Sequence, residues 1–456
     1  MESRTDITVI GAGIVGISVA YYLKQLSDDL HVTLVDFGQP MALTSAQSGE
    51  NYRNWWPHPV MKRFTDYSIQ LMEDLARETD NRINMTRRGY VLATRSTDID
   101  TLLGELQAGY GSDPDNEIRI HDSDKSGAYA PPLREDWERA PSGVDVLSHR
   151  ALIEENFPWY DPEIRTLVHI RRAGTISSQQ MGQHMLERFR ELGGERLQAK
   201  VVAIEKKRDF VLMFDAPESK LQTGQIVNAA GPYLKHVAGM LDVPMAVNNV
   251  LQQKIAFEDT AGAISRRMPF SIDLDPQKID WTEEERALLA EDPSLAWVAE
   301  EMPGAIHCRP DGGDQGKWIK MGWAYNGTPS LGTPDALSPI LDDNFPEIVL
   351  RGAARLNPSL KHYYGRLPRN MTHYGGYYTM TDENWPLIGP MGVEGAFVAG
   401  ALSGFGTMAA CATGMLCAKW MLGHDLPDFA VALSLRRYED AALMAGLRAQ
   451  QSRGML

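Results

Sequence analysis

Short apolar runs, punctuated by glycine, open the chain. Residues 6–10 (DITVI) read as a strand, and Gly11-Ala12-Gly13-Ile14-Val15-Gly16 follows directly. Apolar residues then recur at helical spacing through Ile17, Ala20, Tyr21 and Leu23. A second β-rich run, residues 31–35, ends in Asp36. Farther on, residues 225–228 predict a strand running into Ala229-Ala230-Gly231. Residues 396–399 predict another, followed by a glycine-rich turn at 400–406 and a long helix. Between these, GKWIKMGW (316–323) alternates: Ile319, Met321 and Trp323 share one face of an extended chain, and Trp318, Lys320 and Gly322 the other. On spacing alone Lys320 reads as a solvated charge, because lysine is seldom buried without a partner.

The order of strand, glycine turn, helix, strand and terminal acid predicts a dinucleotide site. Gly11 permits a tight turn, Gly13 lets the backbone approach a pyrophosphate, and Gly16 lets the helix pack close to the sheet. The helix N-terminus offers free N–H groups to the phosphates, and Asp36 accepts from the adenosine ribose. This motif by itself leaves FAD and NAD open.

Composition narrows the setting. The 456 residues are 43% hydrophobic and 23% charged, as in globular chains of two or three domains. A net charge of −15 argues against nucleic acid or an anionic membrane as partner. Cys308, Cys411 and Cys417 form no CxxC pair, so neither zinc nor a disulfide framework is expected, and no metal is called for. With no leader pattern and no apolar run of spanning length, the expected location is the cytoplasm. Residues 113–141, rich in charge, glycine and proline, read as irregular. Residues 275–302 hold nine acids and two bases. A capping box at Thr282–Glu285 and a cap at Asp292-Pro293 predict two short acidic helices there, anchored by Trp281 and Trp297.

Three stretches carry a resemblance. Residues 45–53 (SAQSGENYR) place Ser45, Ser48 and Gly49 where small residues can lie along a pyrophosphate and a flavin ring. Residues 225–231 (QIVNAAG) end in Gly231, and residues 377–390 (YYTMTDENWPLIGP) precede the last glycine-rich turn. With GTI at 174–176 and a strand at 199–204, they resemble the D-amino-acid oxidase superfamily of flavoproteins, nearest its sarcosine oxidase and glycine oxidase branch. The resemblance implies an α/β fold with a discontinuous Rossmann-like FAD-binding domain from residues 1–90, 145–235 and 365–440. A second, mainly antiparallel β-sheet substrate domain (α+β) would take 91–144 and 236–364, leaving 441–456 as a tail. It implies FAD, with the backbone near Val201 meeting the adenine. Gly404, Gly406, Thr407 and Met408 would stand at a helix N-terminus that stabilises charge on the reduced ring.

The implied activity is oxidation of a C–N bond in an amine or N-substituted amino acid by hydride transfer to flavin N5, with O2 reoxidation giving H2O2. IKMGW matches the setting of the lysine that activates oxygen in sarcosine oxidases, which makes Lys320 the expected oxygen-handling cation. Arg53 is the expected arginine over the flavin. Two departures bear on the substrate. Met408 stands where that family's carboxylate-binding lysine lies, and its partner arginine falls near Trp55 or Trp56. A desolvated carboxylate needs a charged partner, so Arg309 is the alternative clamp. With Phe405, Trp55 and Trp56 at the site, a substrate larger and more apolar than sarcosine is expected. Gly376-Tyr377 replace the family's attachment cysteine, so FAD should be non-covalent. Two other readings remain: a dehydrogenase of a 2-hydroxy acid or secondary amine that passes electrons to a carrier, and a non-catalytic assembly factor using 275–302 as a partner surface.

Overall fold

The computed structural model describes residues 3–111, 117–123, 127–132, 137–216, 219–313, 315–330 and 332–449. The stretch 113–141 and the tail 441–456 lie partly outside these. Two large sheets organise the chain. In the first, of eight strands, Ser3–Ile10 runs parallel between Lys220–Asn228 and Val32–Asp36, with Glu195–Gln198 beyond. Ala396–Gly400 runs parallel to the end of Lys220–Asn228. Val201–Lys206 and Phe210–Phe214 extend the sheet antiparallel. Val9, Leu34, Val35 and Val227 are fully buried, as strands covered on both faces require.

The helices Ile14–Leu26 and Gly406–Leu422 pack directly on one another. Ser18 Oγ donates to the Ala410 carbonyl at 2.8 Å, and a Cβ on Gly414 would lie 2.2 Å from Ser18 Oγ. Small residues at this contact bring the backbones together, and burial around most of both helices explains why each is apolar on nearly every side.

The second sheet has nine strands, mostly antiparallel. Thr372–Met380, Asn248–Glu258, Trp318–Gly322, Ile306–Asp311 and Phe270–Asp273 follow one another, then Tyr90–Thr94, Thr166–Ile170, Val144–Leu147 and Ile118–His121. Thr166–Ile170 and Thr372–Met380, from the segments 145–235 and 365–440, hydrogen-bond into this sheet. Trp318–Gly322 alternates as its pattern predicts. Ile319 and Met321 enter a core with Ile255, Phe257 and Trp323, each worth roughly 1.5–3 kcal/mol on burial. Lys320 takes the other face.

In the acidic segment, Thr282 and Glu285 form both bonds of the capping box on Glu283–Glu291. The second expected helix is a 3-10 turn, Ala296–Ala299. Asp292 spends its carboxylate on the amide and hydroxyl of Ser294. Glu301-Met302 then pairs with Gln277-Lys278, which leaves room for only one turn. Trp281 Nε1 donates to the Val298 carbonyl, whereas Trp297 remains 43% exposed. No helix among the described residues is long and apolar enough to cross a membrane.

Candidate active site

The C-terminal ends of the parallel strands open on one cleft, the usual place for a ligand in an open α/β sheet. A wide end of about 580 Å³ is lined by Asp36, Val201, Tyr233 and the 11–13 turn. A narrower end of about 120 Å³ is lined by Gly49, Lys254, Tyr378, Gly404, Gly406 and Thr407. The two share Gly13, Thr44, Ser45, Ala229, Gly231 and Pro232, so they form one elongated space. Asp36 accepts from the amides of Ala12 (2.6 Å) and Gly38 (2.7 Å), which fixes its carboxylate at the mouth of the wide end. Gly11 has φ +109°, and a Cβ on Gly16 would lie 1.8 Å from the Gly11 carbonyl oxygen. The turn therefore tolerates side chains at neither position. At the head of the first helix, the Ile14 amide donates to Ser45 Oγ at 3.0 Å.

The narrow end is built from chain segments far apart in sequence. Ser48 Oγ and Thr407 Oγ1 lie 2.8 Å apart, joining the first loop to the last long helix. No side chain caps the N-terminus of Gly406–Leu422, so its first-turn amides and positive dipole are directed at the cleft. Ala401 (φ +56°) and Ser403 (φ +46°), both lining this end, hold left-handed conformations. Such strain in non-glycine residues concentrates at functional sites. Met408 is buried in the helical core, one residue past the cleft lining.

Lys320 is 14% exposed, with Nζ 3.6 Å from Glu50 and 3.5 Å from Asp311. Burial, then Arg309, holds its ammonium below the usual lysine range, and Asp311 and Glu50 act in the opposite sense. Arg309 donates to the Gly49 carbonyl at 3.0 Å and to Asp311 at 2.6 Å. Together with Glu50 and Asp311 it borders a separate cavity of about 610 Å³. Arg53 is buried with its guanidinium 5.2–5.6 Å from the rings of Tyr90, Trp55 and Trp56. Burial lowers its pKa, and Tyr90 partly opposes that. Trp55 and Trp56 are each 1% exposed, and Trp56 meets Phe405 edge to face at 4.9 Å.

Four residues outside the sequence-derived site belong to this region. Glu50 (φ +59°) accepts from the Ser178 amide and hydroxyl, tying the 48–50 loop to the helix Ser178–Glu191. Tyr378 covers Gly404, where a Cβ would lie 2.5 Å from its ring. Lys254 is 6% exposed and donates to Tyr378 Oη at 3.3 Å. His307 flanks Gly322 from the side opposite Lys254: a Cβ on Gly322 would meet His307 Nε2 at 2.7 Å and Lys254 Cγ at 3.1 Å. Lys254 carries the same signal that marked Lys320, a lysine at period two within an apolar strand (LQQKIAF). Only pairing shows their kinship: Lys254 opposes Gly322 and Ala256 opposes Lys320, so both lysines face the same side.

Comparison with known proteins agrees with this geometry. The profile of the family DAO, FAD dependent oxidoreductase, matches residues 6–420. Human mitochondrial dimethylglycine dehydrogenase is 20% identical over 445 residues, which is 96% of this chain and 45% of that protein. The chain thus spans less than half the length of this relative. Among solved structures, L-proline dehydrogenase from P. horikoshii superposes with a TM-score of 0.71 at 16% identity, covering 96% of this chain and 99% of that one. Glycine oxidase from Geobacillus kaustophilus gives 0.70 at 14%, covering 95% and 99%. At these identities the structural likeness carries the fold. An elongated cleft with glycine-tight turns, a fixed acid at one end and an uncapped helix N-terminus at the other fits FAD in its donor chemistry. The chain belongs to the DAO family of FAD-dependent oxidoreductases.

Proposed function

We propose that the protein oxidises a C–N bond of an amine or N-substituted amino acid and is reoxidised by O2. When bound, FAD supplies the two-electron acceptor, and O2 leaves as H2O2. The observation that carries this reading is the narrow end of the cleft. There an uncapped helix N-terminus and a buried lysine–tyrosine pair face a space large enough for a ring. Asp36 would hold the ribose, the backbone near Val201 the adenine, and Gly13, Ser45, Ser48, Gly49 and Gly231 the pyrophosphate and the ring edge. The amides of Gly406 and Thr407 would face developing negative charge. Arg53, among three aromatic rings, would stiffen the wall that Trp56 and Phe405 present, which supports a substrate with apolar bulk. The lining of the narrow end includes Gly376 and Tyr377 and supports non-covalent attachment. Acid precipitation should leave a colourless pellet and a yellow supernatant.

Lys320 would supply the cation for oxygen. Its two carboxylate neighbours offset that charge, and this observation favours a second reading, a dehydrogenase delivering electrons to a carrier. Anaerobic bleaching of the flavin by a panel of N-methyl amino acids, amines and hydroxy acids tests the reaction class. Aerobic reoxidation then separates the two readings. Lys320→Met should slow it by about 10-fold or more with flavin reduction intact. An unchanged reoxidation rate would remove Lys320 from the mechanism and leave the carrier reading.

A further inference from the structure

The narrow end of the cleft has a one-sided charge. Among the described residues lining it, Lys254 is the one charged side chain; the rest are glycines, hydroxyls, aliphatics, one glutamine and two tyrosines. Its ammonium makes one hydrogen bond, to a neutral phenol at 3.3 Å, and no ion pair. An ammonium has three donors, so two have no protein acceptor. Lys320, two positions away across the sheet pairing, differs in having two carboxylates within 3.6 Å. Burying an uncompensated charge is costly. The uncapped N-terminus of Gly406–Leu422 adds positive potential at the same end.

We infer that Lys254, with Tyr378 beside it, binds the carboxylate of the substrate, so that the enzyme takes an amino-acid anion and not a simple amine. This rests on the C–N oxidation proposed above and specifies its substrate class. The charge balance selects for it. A protonated amine alone adds positive charge to an end that already carries an ammonium and a helix N-terminus. A carboxylate satisfies the two open donors and neutralises Lys254. The position suits the role: Tyr378 lies against Gly404, and the Lys254 stem passes 3.8 Å from where a Cβ on Gly49 would stand. The anchored group is thereby held between the two loops that frame the ring. Arg309 is engaged with Asp311 and the Gly49 carbonyl and serves to fix the 48–50 loop.

The holoenzyme is titrated with propionate and benzoate, and with propionamide and benzamide, while the flavin absorbance band is followed. Each acid should bind about 10- to 100-fold tighter than its amide, the range for a hydrogen bond to a charged group. Lys254→Met should bring acid and amide to within about threefold, and Lys254→Arg should restore the preference. Equal binding of acid and amide by the wild type overturns the assignment without any variant, so a Lys254→Met protein that fails to fold does not shield it. An acid preference that survives in Lys254→Met overturns it too, as does a variant that only slows reoxidation. If the Lys254-dependent preference holds while no amine or amino acid bleaches the flavin, the C–N oxidation reading fails and the carboxylate site stands.

Discussion

One added methyl group at Gly404 would stand 2.5 Å from the Tyr378 ring, closer than real side-chain carbons come. Gly404→Ala should push the ring into the narrow end and weaken FAD binding about 10-fold, read as the 450 nm to 280 nm absorbance ratio after dialysis. Gly11→Ala should be more severe, since φ +109° and a contact at 2.4 Å to the Ala229 carbonyl oxygen both oppose a side chain. A variant of either kind that retains full FAD would show that the cleft accommodates what its geometry excludes. His307 carries a different prediction. Burial, with Lys254 adding to it, pushes its pKa down to about 4. The unfolded chain protonates this histidine near the usual pKa of about 6.5. Between those values the unfolded state binds more protons, so stability falls as pH drops from about 6.5 to 4, by on the order of 3 kcal/mol. His307→Gln should flatten that limb in urea melts; a slope parallel to wild type would assign the loss to other groups. His169, held well below its usual value by burial and Arg171, acts in the same sense and is the internal comparison. Gly11, Gly13, Gly16 and Asp36 were legible because their roles depend on near neighbours in sequence. Lys254 and His307 were not, because their roles arise from strands 50 or more residues apart meeting across Gly322.

The element with the clearest local code is the acidic helix Glu283–Glu291. Its capping box was readable from four letters, and Arg351 then holds it to the second domain's core through Glu285 and the face of Trp281 at 4.4 Å. Thr282→Ala should cost about 1 kcal/mol of local stability, speeding amide exchange across 283–291 about fivefold. FAD content should stay unchanged. A global loss of stability would mean that the helix is integral to the core and not an appended element. The turn at Ala296–Ala299 was harder to foresee, since the Asp292 cap fits a helix start as well as it fits the Ser294 turn it forms. Strand partners were harder still. Thr372–Met380 follows the last stretch of one sheet's segment in sequence yet pairs along its length with Asn248–Glu258 in the other. Alternation marks a strand's two faces but says nothing of its partner.

At the scale of the whole molecule, the cleft lies between the core of the first sheet and the face of the second that carries Lys254 and Lys320. A ligand filling it binds the folded chain alone, so FAD should raise the unfolding temperature in proportion to the logarithm of its concentration. At 100 times its dissociation constant the gain is about 2.7 kcal/mol. Thermal melts of the apo protein across an FAD series check this, and a melting temperature indifferent to FAD would place the cofactor outside the folding unit. The hydrogen bond between Ser48 and Thr407 adds a constraint of timing. Its partners are 359 residues apart, and at synthesis rates of roughly 5–20 residues per second a ribosome needs roughly 20–70 s to travel between them. Throughout that interval the nascent chain displays the adenine half of the cleft without the wall that closes over the ring. Complete capture of the cofactor is therefore a post-translational event, and a cell short of FAD would accumulate full-length chains awaiting it.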